Sequence, residues 1–169
     1  MPPGDEGALA ELLAPVPGRK VCFARTYDAR HLRAHAKQKV TALLFQIRYY
    51  RHEPDQYYPQ GQRNYYFDMA AKVKGRSKTL YTSGECVPHE NGIGCGVDCD
   101  GGGVAIKRDD KSGGLLVSFP EARSRIRMKI GCDGDDEENT VDLTPGVDDK
   151  IFRLDTADLR ACRALDRLY

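Results

Sequence analysis

The feature that most constrains the fold is a series of short segments in which apolar and polar residues alternate, separated by turn residues. Across residues 40–50, Leu43, Phe45, Ile47 and Tyr49 share one phase, and Gln46 and Arg48 share the other. Tyr65, Phe67, Met69, Ala71 and Val73 alternate in the same way against Asp68, Lys72 and Lys74. A period of two belongs to a strand with one buried face. Comparable stretches occur at 21–26, 79–86, 93–99, 104–108, 115–119, 125–130 and 151–154. Gly75-Arg76-Ser77, Asn91-Gly92, Gly101-Gly102-Gly103 and Ser112-Gly113-Gly114 punctuate them, and such residues supply the backbone conformations of tight turns.

About eight or nine strands joined by short turns predict an all-β, mainly antiparallel fold, either an up-and-down β-barrel or a sandwich. The barrel is the preferred form, because closure removes exposed edges and each strand has an apolar face to fill the inside. Residues 1–18, rich in Pro, Gly and Ala, read as a flexible N-terminal arm with at most a short helix at 8–13. Residues 19–169 then form a single barrel domain. Composition over 27–35 predicts a short helix after the first strand, with Asp28 as its N-cap. Asp155 or Thr156 is expected to start a closing C-terminal helix that packs Leu159, Cys162 and Leu165 or Leu168 onto one end. A strand meander with a closing helix resembles the lipocalin type of architecture at the level of fold. The lipocalin Gly-x-Trp pattern is absent, the chain having no Trp.

Six cysteines, Cys22, Cys86, Cys95, Cys99, Cys132 and Cys162, are spread along the chain. An even number at these separations fits a disulfide framework, which persists in oxidising compartments. Cys95 and Cys99 form the only close pair, whereas a structural zinc site draws on two such pairs or on a pair with two histidines. If the chain turns at 89–92, Cys86 and Cys95 face each other across two strands. Cys132 continues the phase of Ile126, Met128 and Ile130, which makes Cys99–Cys132 a possible bridge and leaves Cys22 for Cys162. Spacing alone leaves other pairings open. A 169-residue domain buries roughly 70% of its unfolded surface, so these bridges reinforce a core rather than replace one.

The same logic predicts a periplasmic or secreted protein. Met1-Pro2-Pro3-Gly4-Asp5-Glu6 has neither a basic n-region nor an apolar h-region, and the expectation is an exported chain whose signal peptide has been removed. No run of about 18 apolar residues occurs, so no helical membrane span is expected. A formal net charge of +1 gives no global electrostatic reason to bind nucleic acid.

The first candidate site is a tyrosine-rich hairpin. Tyr49, Tyr50, Tyr57, Tyr58, Tyr65 and Tyr66 fall within residues 49–66, interspersed with Arg51, His52 and Arg63. Aromatic rings with polar tips recur at binding surfaces, although the same residues also serve as cross-strand pairs. Tyr50, Tyr57, Tyr58 and Arg63 are the expected ligand-binding residues. His31 and His35, four apart on a helix, could share a metal on one face, but no third ligand is apparent, and no metal or other cofactor is expected. Asp133-Gly134-Asp135-Asp136-Glu137-Glu138 lacks the alternating spacing of a calcium loop and reads as a solvated run. Arg123, Arg125, Arg127 and Lys129 would line one strand face, where they could meet an anionic partner; the favoured reading is the solvent face of an antiparallel strand, paired with acids from a neighbouring strand. No Gly-x-Ser-x-Gly or HExxH occurs, so no catalytic residue is nominated.

These observations predict an exported, disulfide-stabilised β-barrel binding protein, non-catalytic, with a small ligand or a protein as partner, and either a monomer or a weak homodimer. Two alternatives are an extracytoplasmic hydrolase or metal-dependent enzyme, and an envelope structural or interaction protein.

Overall fold

The computed structural model describes residues 1–2, 4–89, 92–130 and 140–168. Ten strands form one antiparallel sheet: β1 (Lys20–Thr26), β2 (Val40–Arg51), β3 (Arg63–Val73), β4 (Leu80–His89), β5 (Gly92–Gly96), β6 (Gly103–Arg108), β7 (Leu115–Ser118), β8 (Ile126–Ile130), β9 (Thr140–Leu143) and β10 (Ile151–Ala157). Strands β1 to β7 pair each with the next, and β10 pairs with both β7 and β1. The result is a closed eight-stranded up-and-down barrel. The β8–β9 hairpin lies outside the circuit. It adds to β4 through Leu80↔Ile130 and Tyr81↔Lys129, and to the β5–β6 turn through Gly103 N–H donating to Arg125 O at 2.7 Å and Arg127 N–H to Gly101 O at 2.7 Å.

The alternating phase read from the sequence is the inside–outside alternation of this barrel. Leu43↔Ala71, Phe45↔Met69, Ile47↔Phe67 and Tyr49↔Tyr65 are cross-strand pairs between β2 and β3, and all of these side chains are buried. Phe45 stacks on Phe67 at 5.3 Å between centroids, and Tyr49 meets Tyr65 edge-on at 5.2 Å. Leu80, Ile106, Leu115, Phe152 and Leu154 complete the same cluster. The interior is therefore filled by side chains, as an eight-stranded barrel is just narrow enough to allow.

Both ends are covered. Helix α1 (Ala8–Leu12) and its C-cap Leu13 bring Leu9 and Leu13 into the core, and Tyr65 Oη donates to Leu13 O at 3.0 Å. The segment expected to be a loose arm is thus anchored, because two leucines four residues apart find apolar surface at the barrel mouth. Glu6 adds an ion pair to Arg63 at 3.1 Å. Near the other end lies helix α2 (Ala29–Ala34), capped by the Asp28 carboxylate, which accepts from His31 N–H at 2.7 Å. There the Asp149 carboxylate, 1% exposed, accepts from Lys39 N–H at 2.7 Å and Val40 N–H at 3.2 Å, tying the approach to β10 to the start of β2.

The C-terminal segment departs from expectation in conformation and in place. It forms two 3-10 turns, Leu159–Cys162 and Leu165–Leu168, rather than an α-helix. The cap is Asp158, whose carboxylate accepts from Arg160 N–H at 2.8 Å. Pairing of β10 with β1 runs as far as Cys22↔Ala157, so Asp155 and Thr156 are still in the strand. The segment does not close an end. Cys162 bonds to Cys22, whose side chain leaves β1 on the outer face, and Cys162 and Leu165 cover Ala70, Leu44 and Tyr81 there.

Two expected disulfides are present, Cys22–Cys162 and Cys86–Cys95. The second joins residues directly opposite in β4 and β5, with both sulfurs in the core. Cys99 is exposed and forms no bridge among the described residues. Cys132 lies outside them, as does the acidic run 133–138.

Candidate functional site

With the interior filled, a concavity lies on the outside of the barrel, over β4, β5 and β6. It is a groove of about 740 Å³. Its floor follows from the phase of β5. Ile93 and Cys95 point inward and are buried, so Gly92, Gly94 and Gly96 form the outer face; Gly103 and Ala105 continue it on β6. This patch of sheet exposes peptide planes and almost no side chains. One wall is Val87 and His89 from β4, and the other is the β7–β8 loop, with Pro120, Arg123 and Arg125.

The glycines of the floor have different physical reasons. A methyl group on Gly103 would stand 2.4 Å from Cys95 O, and one on Gly102 2.0 Å from Arg125 O. Close backbone approach excludes any side chain at these two positions. Gly94 is different, since a methyl there would meet only the His89 imidazole, at 2.7 Å from Nε2. The His89 ring is thereby seated on the floor. At Gly96 the nearest atom to an added methyl is 3.8 Å away, and no packing reason for glycine is visible.

The tyrosine hairpin divides into two groups. On the outer face of β2 and β3, the Tyr50 ring meets His52 at 4.6 Å between centroids, and His52 Nε2 shares a hydrogen bond with Tyr66 Oη at 3.1 Å. The Arg48 guanidinium lies 4.8 Å from the centre of the Tyr66 ring and 3.6 Å from Asp68. Burial raises the Tyr66 phenol above its ordinary pKa, and the Glu85 carboxylate adds to this, so Tyr66 stays a neutral hydroxyl. Tyr57 and Tyr58 stand apart in the loop, 77% and 49% exposed, above an Asp55 carboxylate that accepts from both of their backbone N–H groups at 2.7 Å. Arg63 does not join them. It occupies the inward phase of β3 at the barrel mouth and is paired to Glu6. Glu6 is held below the ordinary carboxylate pKa: burial opposes this, but hydrogen bonds from backbone N–H groups and from Arg63 outweigh it.

The His31 and His35 rings stack at 4.4 Å, and His31 Nε2 bonds to Gln38 Oε1 at 2.9 Å. Among the described residues no three His, Cys, Asp or Glu side chains converge as a metal site would require. Arg125 and Arg127 pair with Asp142 of β9 at 3.4 and 3.3 Å, the cross-strand neutralisation expected of a solvent face.

Sequence reasoning missed the groove. The signal was present in Gly92, Gly94 and Gly96 at period two, opposite Ile93 and Cys95. A strand with glycine at every outward position has one bare face.

Fold and surface together define a class: a filled, closed β-barrel stapled by two disulfides among the described residues, with a groove on the outer wall. No protein-family model, curated protein or solved structure matches the chain.

Proposed function

We propose that this is an exported, non-catalytic binding protein of a periplasmic or secreted compartment, and that it takes its ligand on the outer wall of the barrel. The observation that carries the reading is the contrast between an interior occupied by Phe45, Phe67, Tyr65 and Phe152 and the groove of about 740 Å³ over β4–β6. That volume is within the roughly 300–1,000 Å³ of small-molecule sites. Two buried disulfides support an oxidising compartment.

The test is a fragment screen by amide chemical-shift mapping on the native, oxidised protein. Perturbations grouped on Gly92–Gly96 and residues 102–105 are expected. Hits that scatter over the surface, or that map to buried core amides, would overturn the reading.

A second reading concerns a protein partner. The exposure of Tyr57, with Tyr50 and Tyr58 nearby in sequence, supports a tyrosine-based contact surface, used either for another protein or for a weak homodimer. Tyr57→Ala with Tyr58→Ala is expected to abolish such association in sedimentation measurements while leaving thermal stability unchanged.

A further inference from the structure

We infer that the ligand of the outer groove is a small organic anion with a flat apolar body, seated on the glycine floor with its acid group on Arg123. This inference rests on the binding reading above and deepens it.

The floor supplies the shape. Glycine within a strand costs roughly 0.5–1 kcal/mol relative to alanine, and where no backbone crowds it the fold gains nothing in return. Gly96 is such a position, having free space where a side chain would stand and no left-handed backbone to require glycine. Gly94 is crowded only by a movable imidazole. What glycine provides at Gly96 is a bare patch of peptide groups, beside the His89 ring seated on Gly94, on which a flat ring can lie. Val87 and Pro120 stand at the sides and offer apolar contact to the edges of that ring.

The walls supply the charge. His89, Arg123 and Arg125 line the groove, and no carboxylate among the described residues does. The chain as a whole carries a net charge of only +1, so this excess is local. The two arginines are not equivalent. Arg125 is already engaged, by Asp142 at 3.4 Å and by Asp100 O at 3.3 Å. Arg123 is exposed and makes no hydrogen bond or ion pair among the described residues. Its guanidinium keeps all its donors for a carboxylate, sulfonate or phosphate oxygen, which it can meet through two parallel N–H bonds. A neutral flat molecule would gain the floor contact only, and a compact inorganic anion only the guanidinium.

The experiment uses two fluorescent probes of the same shape, anilinonaphthalenesulfonate and its uncharged counterpart N-phenylnaphthylamine. They are titrated into native protein, Gly96→Phe and Arg123→Glu, with circular dichroism melting curves to verify folding. Gly96→Leu replaces Gly96→Phe if the larger side chain impairs folding. The anionic probe is expected to bind with one-to-one stoichiometry and more tightly than the neutral one. Gly96→Phe should abolish binding of both, and Arg123→Glu should weaken the anion by about tenfold or more, a change of about 1.4 kcal/mol, while leaving the neutral probe unaffected. Binding of both probes undiminished by Gly96→Phe or Gly96→Leu would remove the groove itself, and the outer-wall reading with it. Loss of both in that variant, with the anion indifferent to Arg123→Glu, would leave the groove as the site and overturn the anionic ligand. Failure of the native protein to bind the anionic probe would overturn the inference outright.

Discussion

The two disulfides are equally buried but close very different lengths of chain, and this permits a sharp prediction. Cys22 and Cys162 are 1% and 0% exposed, and Cys86 and Cys95 are 0% and 2% exposed. Replacing either pair with alanine therefore deletes two fully buried sulfurs, and the packing loss is similar in the two double variants. The separations are 140 and 9 residues. In the chain-entropy account, cross-linking removes freedom from the unfolded chain in proportion to the logarithm of loop length, so the difference between the two variants is 1.5RT ln(140/9), about 2.4 kcal/mol. Cys22→Ala with Cys162→Ala should lose that much more stability than Cys86→Ala with Cys95→Ala. Urea denaturation of the three oxidised proteins measures it. With a slope of about 1–3 kcal/mol per molar for a domain of this size, the midpoints of the two variants should lie roughly 0.8–2.4 M apart. Equal midpoints, or a lower midpoint for the variant lacking Cys86–Cys95, would refute the reasoning. Such a result would mean that the inner bridge acts through the core rather than through the unfolded chain.

Three further outcomes follow from the packing. Leu9→Ala should cost about 2–5 kcal/mol in chemical denaturation, because Leu9 is fully buried in the barrel mouth; a loose arm would register no change. Gly84→Ala should destabilise by more than about 2 kcal/mol, since its methyl would fall 1.9 Å from Gly96 O and 2.9 Å from the Phe67 ring, whereas Gly96→Ala, with open space, should be neutral or stabilising by up to about 1 kcal/mol. The Tyr65 phenol is raised from 10.0 to about 12 by burial, with the Glu6 carboxylate adding to it. Its contribution is intact below the ordinary tyrosine range and is lost as pH rises toward 12, because the unfolded chain ionises first. Stability measured against alkaline pH should therefore fall, and Tyr65→Phe should make that fall shallower; an unchanged slope would refute the assignment.

The strands of the barrel were legible because their signals are local. Period two in 40–50 and 65–73 needs only a half-buried strand, and turn residues mark where each strand stops. Strand β9 was not legible. Thr140-Val141-Asp142-Leu143 has just two apolar residues in phase, and its place depends on non-local pairing with β8. The C-terminal segment was misread for a specific reason. Leu159, Cys162, Leu165 and Leu168 recur at intervals of three, which serves one face of an α-helix but is the repeat of a 3-10 helix. Bonding of Cys162 to Cys22 then brings the segment onto the outer wall. The arm was misjudged on composition, where Pro and Gly outweighed the spacing of Leu9 and Leu13. Of the group expected to bind ligand, Tyr50 is exposed, but Arg63 was not separable from it by sequence proximity. The phase of β3 turns Arg63 toward Glu6 and Tyr50's neighbours away from it.

The filled barrel also explains why the groove lies where it does. Eight strands enclose a space that aromatic and aliphatic side chains can occupy completely, and here Phe45, Phe67, Tyr65 and Phe152 do so alongside the Cys86–Cys95 bridge. A ligand cavity inside would require removing several of these rings at once, at about 3–5 kcal/mol each, which approaches or exceeds the whole stability of a typical domain. The outer wall carries no such cost. Over β1–β3 the wall is already occupied, by the C-terminal segment and by polar or aromatic side chains such as Arg48, Tyr50 and Tyr66. At β5 and β6 the outward positions are Gly92, Gly94, Gly96, Gly103 and Ala105, and it is there that the β7–β8 loop, with Arg123, forms a wall beside the sheet. On the proposed reading, the alternation that packs the core with Ile93 and Cys95 is also what clears the floor at Gly96 and seats the His89 ring at Gly94. A substitution that enlarges the outward residue at 96 can then be tolerated by the fold and still remove the site.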